Sequence, residues 1–264
     1  MMTIRNHRWA GAEYIESPNK SGGITPRFVV QHYTAGYTAS SAINTLTRRG
    51  SSASAHLVID LDGTITQLVP FNVKAWHAGP SQYRGYSGLN NHSVGIEIVN
   101  IGWLRPIRGG KLQDAYGNIR DENDFPNGLV ESPHSTVGSG TFFWPIYPEA
   151  QLKAVEDVTR ELIEEYPILD VVSHEEIDTR GWKTDPGPAF PMRRFKALLP
   201  ERGHDTDRFA VTASKLNVRS GPGSRFDVIG SLKRGDVVQL EATSGDWGRI
   251  DDDGWVHRGY LRQT

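Results

Sequence analysis

One amphipathic segment limits the fold more than any other feature of the chain. Residues 149–166, EAQLKAVEDVTRELIEEY, set Leu152, Val155, Leu162, Ile163 and Tyr166 along one helical stripe, and Pro167 follows to end it. Such a helix needs an apolar surface to lie on, and the rest of the sequence supplies strand-like runs. Phe28-Val29-Val30-Gln31-His32 reads as a short buried strand. SAHLVIDLDGTITQLV reads as a hairpin turning at Asp62-Gly63. SVGIEIVNI is a further apolar run carrying a single charge, Glu97, and DVVSH is a last short strand. A second helix is predicted over TASSAINTLTRRG, with Thr38 or Ser40 as its cap, Ala42, Ile43 and Leu46 on one face and Gly50 at C′. Strands mixed with helices predict an α/β layered domain over residues 1–200.

Residues 102–147 break this pattern with Gly109-Gly110, Tyr116-Gly117-Asn118, Phe125-Pro126-Asn127-Gly128 and SPHSTVGSG. An insertion of this length reads as a lid or binding loop, and Phe142-Phe143-Trp144 argue against disorder. Trp103 and Trp144 either pack the insertion or touch a ligand, and His134 reads as solvated. The polar stretch ERGHDTDR, 201–208, reads as a linker. Beyond it, 209–264 holds short strands with turns at Gly-Pro-Gly, Arg-Gly-Asp and Asp-Gly, the pattern of a small all-β barrel.

Composition narrows the function. A net charge of -2 predicts no strong pull toward nucleic acid or anionic membrane. The absence of cysteine excludes disulfides and thiolate metal sites, so any metal must be held by His and carboxylate. No run approaches the roughly 18 apolar residues of a membrane span, so no membrane insertion is expected. MMTIRNHRWAGAEYIES lacks the apolar centre of a signal peptide, so synthesis in the cytoplasm without one is expected.

The segment SHEEIDTRGWKTDPGPAF, 173–190, carries an unusual density of groups able to ligate a metal or move a proton. His32, His174 and Asp185 make a two-imidazole, one-carboxylate set of the kind that leaves a position open on catalytic zinc. Spacing alone does not single them out among nine histidines. Equally, Glu97 could pair with an Arg, Lys183 could be a solvated cation, and His56 and His92 read as hydrogen-bonded strand and turn residues.

A resemblance goes further. VVQHYTA, SAHLVIDLDGTITQLVPF, KAWHAGPSQYRG, NNHSVGIEI and KTDPGPAF, in this order, resemble the zinc-dependent N-acetylmuramoyl-L-alanine amidases, the family of phage T7-type lysozyme and the peptidoglycan recognition proteins. The likeness is strongest to the cytosolic branch that recycles anhydro-muropeptides, and covers roughly residues 25–100 and 147–195. It implies a mixed central β-sheet flanked by helices, with His32, His174 and Asp185 as ligands of Zn2+. It also implies Glu97 as the carboxylate that acts on water, Lys183 as the oxyanion partner, and Trp76 and His77 at the substrate groove. T7-type lysozymes carry a Tyr where this chain has Ala55-His56, so the base assignment follows the recycling branch.

LNVRSGPGSRFDVIGSLKRGDVVQL and DWGRIDDDGWVHRGYL resemble a bacterial SH3 domain, a module that often binds cell-wall peptides. Trp247, Trp255 and Tyr260 either bind such a ligand or pack the barrel. The expected reaction is cleavage between the lactyl group of N-acetylmuramic acid and L-alanine in peptidoglycan or muropeptides. The added module favours an endolysin-like role in wall lysis after release or export. Cytosolic recycling by the same reaction and a non-catalytic peptidoglycan receptor are the alternatives.

Overall fold

The computed structural model describes residues 3–199, 208–240, 242–250 and 254–263. The chain divides into two compact units, Met1–Leu199 and Pro200–Thr264. The linker read at 201–208 falls, apart from Arg208, outside the described residues. No helix among the described residues is long and apolar enough to cross a membrane.

In chain order the first unit contributes β1 (Glu13–Tyr14), β2 (Phe28–Tyr33), α1 (Ala39–Thr47), β3 (Leu57–Ile59), β4 (Ile65–Gln67) and β5 (Ser93–Ile98). The insertion follows as β6 (Leu104–Ile107), β7 (Lys111–Asp114), β8 (Ile119–Arg120), β9 (Leu129–His134) and β10 (Gly138–Pro145). Then come α2 (Glu149–Glu165), β11 (Asp170–Ser173), α3 (His174–Ile177) and α4 (Met192–Lys196). The six-stranded central sheet has the order β11-β2-β5-β3-β4-β1. β11, β2, β5 and β3 run parallel, and the β3–β4 hairpin supplies the antiparallel step, so the sheet is mixed.

Strand alternation sorts the two faces of this sheet. Val29 of β2, Leu57 and Ile59 of β3, and Val94, Ile96 and Ile98 of β5 share one core with Leu152, Val155, Val158 and Leu162 of α2. The intervening residues point the other way. There Phe28, Val30 and Val172 form a second cluster, and Val58 packs with Ala39 and Leu46 of α1 in a third. This second face also carries His32 and Glu97.

Local sequence explains the boundaries. The Thr38 side chain accepts from Ser41 N and caps α1. Gly50, expected at C′, lies beyond the end of that helix: Arg48 is already extended, and the positive φ of Gly50 serves an Arg48–Ser51 turn. The hairpin turns at Asp62-Gly63, with Gly63 N donating to Asp60 O and Thr64 N to Asp62 Oδ1. A Cβ at Gly63 would stand 2.7 Å from Ala150 O, so this turn is pressed against the start of α2.

The insertion is a folded element, a five-stranded antiparallel sheet ordered β8-β7-β6-β10-β9. It has its own small core of Ile101, Leu104 and Leu112. Trp144 is 1% exposed and donates Nε1–H to Ser132 O, so it packs the insertion. His134, read as solvated, instead meets Glu175 at 3.2 Å, with only 8% of its side chain exposed. The reason is tertiary: β9 comes against α3 and takes the imidazole out of solvent.

The second unit is all-β. Its two antiparallel sheets enclose Val211, Leu216, Val218, Leu240 and Val256. Trp247 and Trp255 are half-buried and Tyr260 is 51% exposed.

Candidate active site

Three parallel neighbours, β11, β2 and β5, end side by side, and the site forms at their carboxyl ends, where open α/β sheets leave crevices. His32 is the fifth residue of β2, and its register partner on β5 is Glu97. Parallel partners face the same way, so the pair projects from one face of the sheet. His174 follows β11 directly, on the first position of α3. Ser173 and Glu176 form a capping box there, with Ser173 Oγ accepting from Glu176 N at 3.0 Å. Asp185 comes from the loop after α3. Glu175 N donates to Asp185 O, and Tyr147 Oη donates to Pro186 O at 2.7 Å, holding that loop.

His32 Nδ1, His174 Nδ1 and Asp185 Oδ2 lie pairwise 2.9–3.0 Å apart, and all three residues are buried. The surrounding hydrogen bonds fix which atoms carry protons. Ser93 Oγ–H donates to Leu89 O at 2.6 Å and therefore accepts from His77 Nε2–H at 3.3 Å. His77 Nδ1 is then bare and accepts from His32 Nε2–H at 3.0 Å. His174 Nε2–H donates to Ala78 O at 3.3 Å. Both Nδ1 atoms consequently turn lone pairs toward the Asp185 carboxylate. Three lone-pair donors at this separation repel one another unless a cation lies among them. Ligand atoms around tetrahedral zinc, each about 2.0–2.1 Å from it, lie roughly 3.3 Å apart, so the three residues fit a small divalent ion.

Burial, then repulsion from neighbouring His174 on taking up a proton, pushes the His32 imidazole down to about 4, which keeps it neutral at pH 7. The Glu97 side chain is half-buried and makes no hydrogen bond or ion pair among the described residues. Burial, then the Asp185 charge, lifts its carboxyl to about 8, against the pull of Lys183. Lys183 lies two residues before Asp185, and its charge works against the upward shift at Glu97 and adds to the downward shift at His32. Glu97 also lines a cleft of about 540 Å³, together with Thr34, Thr38 and Ser41 and with Tyr116 and Asn118 of the insertion.

The structure thus brings His32, His174 and Asp185 together, with Glu97 on the neighbouring strand in register with His32. Trp76 is partly exposed, its Nε1–H on Ser21 Oγ; neither it nor His32, His174 or Asp185 is among the residues lining this cleft. His77 is 8% exposed and faces His32 from behind, away from the groove position expected of it. His56 is fully buried between Gly95 N and Val73 O, with both ring nitrogens taken by backbone. Sequence reasoning missed the part Ser93 plays and the place of Tyr116 and Asn118 on the cleft. Only the Tyr-Gly-Asn turn signal marked the last two.

Fold and site together define a class: an α/β protein with a candidate mononuclear metal centre at the ends of parallel strands and an unpaired carboxyl on the neighbouring strand. The chain belongs to the N-acetylmuramoyl-L-alanine amidase family, whose model matches residues 22–188, and the bacterial SH3 domain model matches 214–262. It is 33% identical over 153 residues to the 1,6-anhydro-N-acetylmuramyl-L-alanine amidase AmpD of Salmonella typhimurium, covering 57% of this chain and 59% of the relative. It is 29% identical over 178 residues to the N-acetylmuramoyl-L-alanine amidase AmiD of Escherichia coli, covering 64% of this chain and 51% of the relative. Thus the chain spans less than two thirds of the length of these curated relatives. A crystal structure of a selenomethionine AmpD derivative superposes with a TM-score of 0.53 at 26% identity, over 75% of this chain and 100% of that one.

Proposed function

We propose that this chain hydrolyses the amide between the lactyl group of N-acetylmuramic acid and L-alanine in peptidoglycan or muropeptides, using Zn2+ held by His32, His174 and Asp185. The observation that carries the proposal is the convergence of three bare donor atoms beside an unpaired carboxyl, in a chain of this family. Two neutral imidazoles and a carboxylate suit zinc and leave room for a water or a substrate oxygen.

Zinc bound there would supply Lewis acidity, polarising the carbonyl and making water nucleophilic near neutral pH. The chain's own groups do the rest. Glu97 lines the cleft, and in its ionised form would take a proton from water and return it to the leaving amine, its raised affinity for the proton suiting it to hold that proton in between. Lys183, with no ion-pair partner among the described residues, is free to meet charge developing on the carbonyl oxygen. Trp76 keeps a substrate-contact role on its exposed edge. Residues 1–200 form the catalytic domain in this reading, and the 102–147 insertion supplies one wall of its cleft through Tyr116 and Asn118.

The complete donor set argues against a non-catalytic receptor. Residues 209–264 are proposed as a wall-binding module joined through 201–208, which favours action on the polymer, as in lysis, since soluble fragments need no anchor. Against that, the AmpD likeness favours anhydro-muropeptides and recycling. Mass spectrometry of products from purified sacculi and from anhydro-muropeptides, side by side, tests both points. Free peptide with an N-terminal L-alanine is expected from sacculi at least as readily as from fragments. Cleavage at any other bond would refute the reaction, and cleavage of fragments alone would favour recycling.

A further inference from the structure

We infer that His77 is a positioning residue that fixes the His32 tautomer for metal binding, through a relay running Leu89–Ser93–His77–His32. The inference rests on the metal reading above and adds a residue to it. Four observations support it. The relay is unidirectional, because its last acceptor is a carbonyl that can only accept: Leu89 O takes the Ser93 hydroxyl, Ser93 takes His77 Nε2–H, and His77 Nδ1 takes His32 Nε2–H. Reversing any link would set two protons, or two lone pairs, face to face.

The relay is also closed to solvent, with Ser93 at 0%, His77 at 8% and His32 at 2% exposure, so water does not substitute for a missing partner. The backbone beneath His77 is clamped, since His77 N and Ala78 N both donate to Asn90 Oδ1, at 2.9 and 2.7 Å. The same clamp steadies Ala78 O, which receives His174 Nε2–H, so one short segment orients both imidazoles of the cluster. Finally, space for the ring is made by Gly95: a Cβ there would stand 2.4 Å from His77 Cγ. Partners of this kind orient metal-bound imidazoles and typically contribute roughly 10- to 100-fold in metal affinity.

The test compares zinc affinity, by competition with a chromophoric chelator at pH 7.5, for the full chain and two variants. His77→Leu fills the space but offers no acceptor. His77→Asn places an amide oxygen where Nδ1 stands. Leu should weaken zinc binding by roughly 10- to 100-fold, and Asn should restore it to within a few-fold of the parent. Nitrogen NMR of the imidazoles in the metal-free parent gives a second readout that needs no variant to fold. It should find His32 protonated at Nε2 and bare at Nδ1. Equal affinity of parent and His77→Leu, equal losses in both variants, or a proton on His32 Nδ1 would each overturn the inference. A parent that binds no zinc would refute the metal reading itself, a result distinct from those three.

Discussion

Replacing Glu97 by Gln should slow the enzyme and stabilise its metal-free fold in one step. The carboxyl is half-buried with no hydrogen-bond or ion-pair partner among the described residues, so folding disfavours its ionised form. Its pKa is raised from 4.5 to about 8 by burial and then by Asp185. A carboxyl raised on folding destabilises the native state as pH climbs past the unfolded value, because the unfolded chain releases the proton first. Between 4.5 and pH 7, at 1.36 kcal/mol per pH unit, that amounts to about 3 kcal/mol. Gln keeps the shape and has no proton to release in the unfolded chain. The metal-free variant should therefore melt several degrees above the parent at pH 7, at roughly 2–4 °C per kcal/mol for a chain of this size. The advantage should shrink to nothing below pH 4.5. Turnover on a purified muropeptide should meanwhile fall by roughly 10²- to 10⁴-fold, the usual contribution of a general acid–base group. Calorimetry of the metal-free proteins, with turnover and zinc content of the loaded ones, reads all three quantities. A variant that melts lower would make Glu97 a structural anchor. A folded, zinc-loaded variant with near-parental turnover would refute the proton-transfer role and move the search for the base elsewhere.

Three further outcomes are expected. His32 and His56 are both pushed by burial to about 4 and His77 well below its ordinary value, so the unfolded chain takes up protons first as pH falls. The metal-free protein should accordingly lose stability from pH 6.5 down to 4, by about 3 kcal/mol from His56 alone, and urea melts that are flat over this range would contradict it. Tyr116, 68% exposed on the cleft wall, should on change to Ala raise KM while stability moves by less than about 0.5 kcal/mol; unchanged kinetics on polymer and fragments would remove the insertion from substrate choice. Deleting residues 200–264 should leave cleavage of small muropeptides near parental and weaken action on sacculi, whereas equal losses on both would make the second unit part of the catalytic fold.

Where apolar periodicity was strong, the fold was legible. The α2 stripe, the β3–β4 hairpin at Asp62-Gly63 and the Phe28–Tyr33 strand are set by nearest-neighbour chemistry and survive into the structure. The insertion was not legible as a sheet. Its longest strand begins GSGT, and its pairing depends on contacts across the insertion that no local window contains. The start of α3 had a signal that was not used, since Ser173 and Glu176 hold the spacing of a capping box. In the site, motif order pointed to the donor residues and to Glu97. The part played by His77 could not be read the same way, because its meaning depends on Ser93, Gly95 and Asn90 meeting it in space.

In the proposed reaction one zinc ion, held by His32, His174 and Asp185, is required for cleavage of the lactyl–L-alanine amide. Titrating zinc into fully metal-free protein while following that cleavage measures this requirement. Activity should be absent at the start, rise in proportion to bound zinc and level off at one ion per chain. His174→Ala should neither retain the ion nor gain activity. Full activity in protein shown by elemental analysis to hold no metal would rule out the zinc requirement.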